Sequence, residues 1–156
     1  MNDQECMKKE GIKEIGFQEE IYRQFGESRL KPEQYSALGL AYIGDAVYDL
    51  IIRTLVLRKG NYNVKTFHKM TSSIVKAEVQ ARLVESIEPD LTEEEERIFH
   101  HGRNAKSGTS AKNASIIDYR IATGFEALIG FLYLKEQMPR VIELIAMGLE
   151  RTGQYS

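Results

Sequence analysis

Two segments dominate the sequence: "LGLAYIGDAVYDLIIR", residues 38–53, and "IATGFEALIGFLYLK", residues 121–135. Each is apolar around most of a helical circumference, which predicts two helices at the centre of the fold. Yet the first carries Asp45 and, one turn later, Asp49, and the second carries Glu126. The acids have small neighbours: Ala41 and Gly44 near Asp45, Ala122 and Gly130 one turn either side of Glu126. A helix-interior glycine costs about 1 kcal/mol relative to alanine, and close backbone approach is a reason to tolerate it. If the two small faces meet, Asp45 and Glu126 converge. Asp45 and Asp49 also place like charges on one face, so a cation should compensate them.

The remaining pattern is helical too, and the predicted fold class is all-α. "GFQEEIYRQFGE" reads as a short amphipathic helix, with Phe17, Ile21 and Phe25 spaced by four. Pro32 is expected to open the long helix holding Asp45, and Gly60 to close it. "KTFHKMTSSIVKAEVQARLVESI" reads as one helix that Pro89 ends. Thr92 and Glu95 have capping-box spacing, and acids fill the first turn of that helix, so the Glu93–Glu96 run is read as structural. "GRNAKSGTSAKNAS", residues 102–115, reads as a loop, and Pro139 as the start of a last helix. No alternating strand pattern and no internal repeat is visible.

A chain of 156 residues suits one domain. Residues 1–30 read as an extension with the short helix, and 31–156 as the domain proper. Cys6 is the only cysteine, which excludes an intrachain disulfide and a cysteine-based zinc site. The first residues lack the apolar core of a signal peptide, and no apolar run approaches the roughly 18 residues of a membrane span. A cytoplasmic protein with no membrane partner is expected. The net charge of −2 argues against a generic polyanion binder. It hides local blocks, however: residues 51–82 sum to +6, 83–99 to −6 and 100–120 to +3. Local surfaces could therefore meet a polyanion.

For Asp45 and Glu126 three readings stand. They are a structural ion pair with Arg or Lys, ligands of Mg²⁺ or Mn²⁺, which take carboxylate oxygens, or a metal-free acid/base pair of the kind used in sugar hydrolysis. The last fits poorly with an all-α chain lacking tryptophan.

"YIGDAVYDLIIR" resembles the signature helix of the ribonuclease III family, and "FEALIGFLYL" resembles that family's second acidic helix. The intervening "HKMTSSIVKAEVQARLV" and the spacing also fit, and the match runs from about Gln34 to Leu149. "GRNAKSGTSAKNASIIDYRIATGFEALIG" is most similar to the catalytic-domain-only subgroup, Mini-ribonuclease III; with Ser156 the last residue, no double-stranded-RNA-binding domain is expected. The resemblance implies a homodimeric helical bundle that cleaves double-stranded RNA with Mg²⁺, Mn²⁺ being a possible substitute, leaving 5′-phosphate and 3′-hydroxyl ends. For the subgroup it implies maturation of the large-subunit (23S) ribosomal RNA precursor. Asp45 and Glu126 match the two central catalytic, metal-holding acids, and Asp49 is a candidate further ligand. The other two acids of longer members are replaced by Ala41 and Thr123, which departs from a four-carboxylate site. Lys65, Lys69, Lys76, Arg103, Asn104, Lys106, Lys112 and Arg120 are candidate RNA contacts. His100 and His101 are read as RNA-contact or capping residues and His68 as a surface residue. The alternative function is a non-catalytic helical dimer that binds structured RNA or a ribosomal protein.

Overall fold

Side-chain caps decide where most of the helices begin. The structure, a computed structural model, describes residues 16–105 and 115–154. Seven α-helices and no β-strand occur among the described residues: α1 Phe17–Phe25, α2 Ala37–Leu57, α3 Val64–Val75, α4 Ala77–Ile87, α5 Glu93–Asn104, α6 Ile116–Leu134 and α7 Met138–Arg151. Ser36, Asn63 and Ser115 accept hydrogen bonds from the third backbone N–H of α2, α3 and α6. Thr92 and Glu95 form the reciprocal capping box that their spacing predicts at the start of α5.

The described residues divide into two compact units, one ending at Lys31 and the other beginning at Pro32. The first holds α1, closed by Gly26 at φ 101° and braced by an Arg23–Glu20 ion pair of 2.8 Å. The second is a helical bundle built around α6. Helix α2 crosses α6 in the most extensive contact; α4 and α5 also pack on α6, and α7 packs on α4. Ile52, Leu83, Ile87, Phe125, Leu128 and Val141 are fully enclosed in the core. Each such side chain contributes about 1.5–3 kcal/mol by leaving water.

Three sequence expectations need correction. Pro32 does not open α2: it belongs to a separate 3-10 turn, Pro32–Gln34, and Ser36 is the cap. The segment around Lys76 is two helices rather than one. Lys76 adopts φ −58°, ψ 142° between α3 and α4, and the Gln80 side chain donates from α4 to the Val75 carbonyl at 3.2 Å, satisfying an orphaned helix-end acceptor. Finally, α2 is not enclosed on all sides. Tyr42 is 83% exposed and Leu50 66%, with Leu57 also in solvent.

Between α5 and α7 sits a satisfied buried acid. Glu95 is only 4% exposed. Arg140 Nε donates to Glu95 Oε2 at 2.9 Å and its Nη2 to Oε1 at 2.8 Å, tying α5 to α7. These bonds hold the Glu95 carboxyl below the usual carboxylate range.

Candidate active site

The small faces of α2 and α6 do meet. A methyl group at Gly44 would overlap the backbone carbonyl of Glu126 and lie 2.8 Å from the Gly130 nitrogen; one at Gly130 would overlap the Leu40 carbonyl. The two backbones therefore touch at Gly44 and Gly130, with Ala41 and Ala122 buried alongside. This crossing brings Glu126 within reach of the Asp45 charge.

Their environments differ. Asp45 lies at the solvent edge; partial burial, then the charge of Asp49, raises its carboxyl above the ordinary value. Glu126 is largely buried, and burial followed by the Asp45 charge pushes it up to about 8. A hydrogen bond with the Gln80 side chain opposes that rise. Among the described residues, no cation figures in the groups acting on Glu126.

Two residues of the site are absent from the sequence reading. Tyr48, one turn beyond Asp45, is 1% exposed, and Gln80 is 2% exposed. Tyr48 packs edge-on against Phe125, ring centroids 5.8 Å apart, and lies within the field of the Glu126 carboxylate. The Tyr48 hydroxyl and Gln80 Oε1 are buried without hydrogen-bond partners. A signal for Tyr48 was present: its position, three residues after Asp45, puts a hydroxyl on the same face.

Asp49 has the compensating cation that its position calls for. Arg53 Nε lies 2.7 Å from Asp49 Oδ2, and both side chains are partly in solvent. Neither position that departs from the longer relatives supplies a carboxylate: Ala41 is buried, and the Thr123 hydroxyl donates back to the Tyr119 carbonyl at 2.9 Å.

The cationic candidates come from several elements. Lys65 and Lys69 lie one turn apart and exposed on α3, while Lys76 is exposed at the α3–α4 break rather than on the same helix. Arg103 and Asn104 belong to the last turn of α5, not to a loop. Gly102, read as the start of that loop, lets α5 approach α6: a methyl there would meet Ala127 Cβ at 2.8 Å. Arg103 stacks over the Phe99 ring, 5.9 Å from its centroid, and Arg120 is exposed on α6. Lys106 and Lys112 lie outside the described residues. His100 Nε2 is 3.2 Å from Glu96 and 3.8 Å from Glu88, a half-buried group on α5 that also has metal-ligand spacing.

Residues 38–137, which span both acidic helices, match the family model described as Ribonuclease III domain. The chain belongs to the ribonuclease III family. It is 48% identical over 126 residues to the Mini-ribonuclease 3 of Clostridium tetani, covering 78% of this chain and 83% of that one. Against the Mini-ribonuclease 3 of Enterococcus faecalis it is 43% identical over 124 residues, covering 78% and 94%. A crystal structure of a Fusobacterium nucleatum protein superposes with a TM-score of 0.72 at 32% identity, covering 79% of this chain and 99% of that one. The chain is thus an endoribonuclease with the all-α ribonuclease III fold, in a family that depends on a divalent metal.

Proposed function

We propose that this chain hydrolyses phosphodiester bonds of double-stranded RNA, with Asp45 and Glu126 holding a divalent cation, Mg²⁺ or in its place Mn²⁺. The observation that carries this reading is Glu126: a largely buried carboxyl beside a second acid, with no cation among the described residues acting on it. Hard oxygen donors of this kind suit Mg²⁺, and the unpartnered polar atoms of Tyr48 and Gln80 mark a polar environment on the buried side. When bound, the ion supplies charge neutralisation for the phosphate and acidifies the attacking water. Asp45 presents the site to solvent, where a phosphate arrives; Glu126 anchors it in the bundle. Asp49, paired with Arg53, reinforces the negative charge at Asp45 and contributes directly or through water. Cleavage leaves 5′-phosphate and 3′-hydroxyl ends, and no Ser, Cys or His nucleophile takes part. Lys65, Lys69, Lys76, Arg103, Asn104, Lys106, Lys112 and Arg120 contact the duplex, which is read chiefly through phosphates and 2′-hydroxyls.

The active species is a homodimer, with one site per subunit and the protein twofold matched to the duplex. Its support is the exposed stripe Tyr42, Leu50 and Leu57 on α2, an apolar face adjoining Asp45 and Asp49 by helical register. Leu50→Glu is expected to shift the protein to monomer in sedimentation equilibrium; an unchanged mass would remove this stripe from the interface. Similarity to the Mini-ribonuclease 3 proteins supports the 23S ribosomal RNA precursor as substrate and the cytoplasm as compartment. No helix among the described residues is long and apolar enough to cross a membrane.

The reaction is tested with end-labelled duplex RNA and a single-stranded control. Cleavage of the duplex alone, abolished by EDTA and restored by Mg²⁺, is expected. Undiminished cleavage in EDTA would refute the metal assignment.

A further inference from the structure

Burial makes Tyr48 and Gln80 expensive unless they have work to do. A buried hydroxyl without a partner costs about 1–3 kcal/mol, and the Tyr48 hydroxyl is in that condition; on Gln80 the unpartnered atom is the acceptor Oε1, while its amide nitrogen is the donor. Phenylalanine would fill the Tyr48 position with the same ring against Phe125 and no such cost. The two residues come from different helices, α2 and α4, and both bear on Glu126: the Gln80 side chain counteracts the rise of its carboxyl, and the Tyr48 ring packs on Phe125, the residue before it, with the hydroxyl in reach of the Glu126 charge.

We propose that Tyr48 and Gln80 are positioning residues for Glu126, donating hydrogen bonds from the buried side of its carboxylate once that group holds the divalent cation. The inference rests on the metal-holding reading of Asp45 and Glu126. Chemically, a carboxylate that gives one oxygen to a cation still needs donors for its remaining lone pairs, and buried donors fix its orientation. Gln80 has a second role that locks it in place: its amide also donates to the Val75 carbonyl at 3.2 Å, at the break between α3 and α4. The break thus brings an amide to Glu126, and Tyr48 supplies a hydroxyl from α2. The pair does not touch the scissile bond; it acts through Glu126.

Tyr48→Phe separates this role from simple packing because it keeps the ring; Gln80→Met keeps most of the volume but also removes the bond to Val75, so its Mn²⁺ affinity is read beside its metal-free melt. Binding of Mn²⁺ alone is measured by calorimetry on the full chain, together with thermal melts in EDTA. Tyr48→Phe is expected to weaken Mn²⁺ binding on the order of tenfold or more, while the metal-free protein melts at the same temperature or higher. That opposite pair of effects is one a purely structural tyrosine would not give. Gln80→Met is expected to weaken Mn²⁺ binding by a similar factor, and adding either change to Glu126→Gln should weaken it no further. Mn²⁺ affinities within twofold of the unmodified protein for both variants would overturn the proposal while leaving the site itself standing. If instead the unmodified protein and Glu126→Gln bind Mn²⁺ alike, the metal-holding reading fails, and this inference with it.

Discussion

Glu126→Gln and Asp45→Asn should each reduce cleavage of duplex RNA by at least about 100-fold at saturating Mg²⁺ while the protein remains folded. Each change removes an anionic donor and keeps the shape of the side chain. The loss corresponds to a few kcal/mol of transition-state stabilisation, the scale expected for a cation's contribution. Glu126→Gln carries a second signature, in stability. The Glu126 carboxyl lies at about 8 in the folded chain against an ordinary 4.5. Between those values the folded state retains a proton that the unfolded state has released. By linkage, the metal-free protein should therefore lose stability as pH rises through this window. Glu126→Gln should flatten that part of the profile and become the more stable protein above about pH 8. Thermal melts in EDTA across the window measure it. Near-normal cleavage by either variant would remove it from the catalytic site, and an unchanged pH slope would contradict the burial of Glu126. Asp49→Asn is expected to be milder, since Asp49 already shares its charge with Arg53.

The second large effect concerns the crossing itself. Gly44→Ala should destabilise the domain by about 3 kcal/mol, at the upper end for an added methyl group, because the atoms it meets are backbone. The Glu126 carbonyl and the Gly130 nitrogen cannot rotate away as a side chain would. Gly39→Ala is the matched control on the same helix. The nearest atom there is Ser36 Oγ at 3.1 Å, and alanine's better helix propensity works in its favour. Urea denaturation of the two variants makes the comparison direct. Equal midpoints would show that α2 and α6 have room to separate. Any separation large enough to admit the methyl would also part Asp45 from Glu126, so Gly44→Ala should lose activity even under conditions where it stays folded.

That crossing was legible in the sequence because two signals agreed there: glycines that helices normally avoid, and acids inside apolar runs. The capping box at Thr92 was legible for a similar reason, since its chemistry is local. The break at Lys76 was not. Met70, Ile74, Ala77, Ala81 and Val84 keep one helical period straight through it, and no proline or glycine marks it. What ends α3 is a tertiary choice, the Gln80 amide taking the Val75 carbonyl. Pro32 misled by proximity, and Ser36, the better cap, lay four residues on. Gly102 was read as loop punctuation when its reason is contact with α6. Asp45, Asp49 and Glu126 stood out as acids inside apolar helices, and the family resemblance gave them a candidate role, whereas nothing singled out Gln80. Its position beside Glu126 depends on where α4 starts, and hence on the break that periodicity concealed. Nor did the apolar circumference of α2 reveal that Tyr42, Leu50 and Leu57 face solvent, because a buried stripe and an unpartnered one look alike in a sequence.

Glu95 gives the molecule its own standard of comparison. It too is a glutamate inside the bundle, but a guanidinium grips both of its oxygens. The same chain therefore knows how to neutralise an interior acid and does so on α5, while on α6 it leaves Glu126 to its amide and hydroxyl neighbours. Acidification acts on the two in opposite senses. Protonating Glu95 loosens the joint between α5 and α7, whereas Glu126 in the metal-free chain already holds its proton near neutrality. One acid is a rivet; on the proposed reading the other is a socket, and a change in divalent-ion concentration should be felt at Glu126 and not at the Glu95–Arg140 joint.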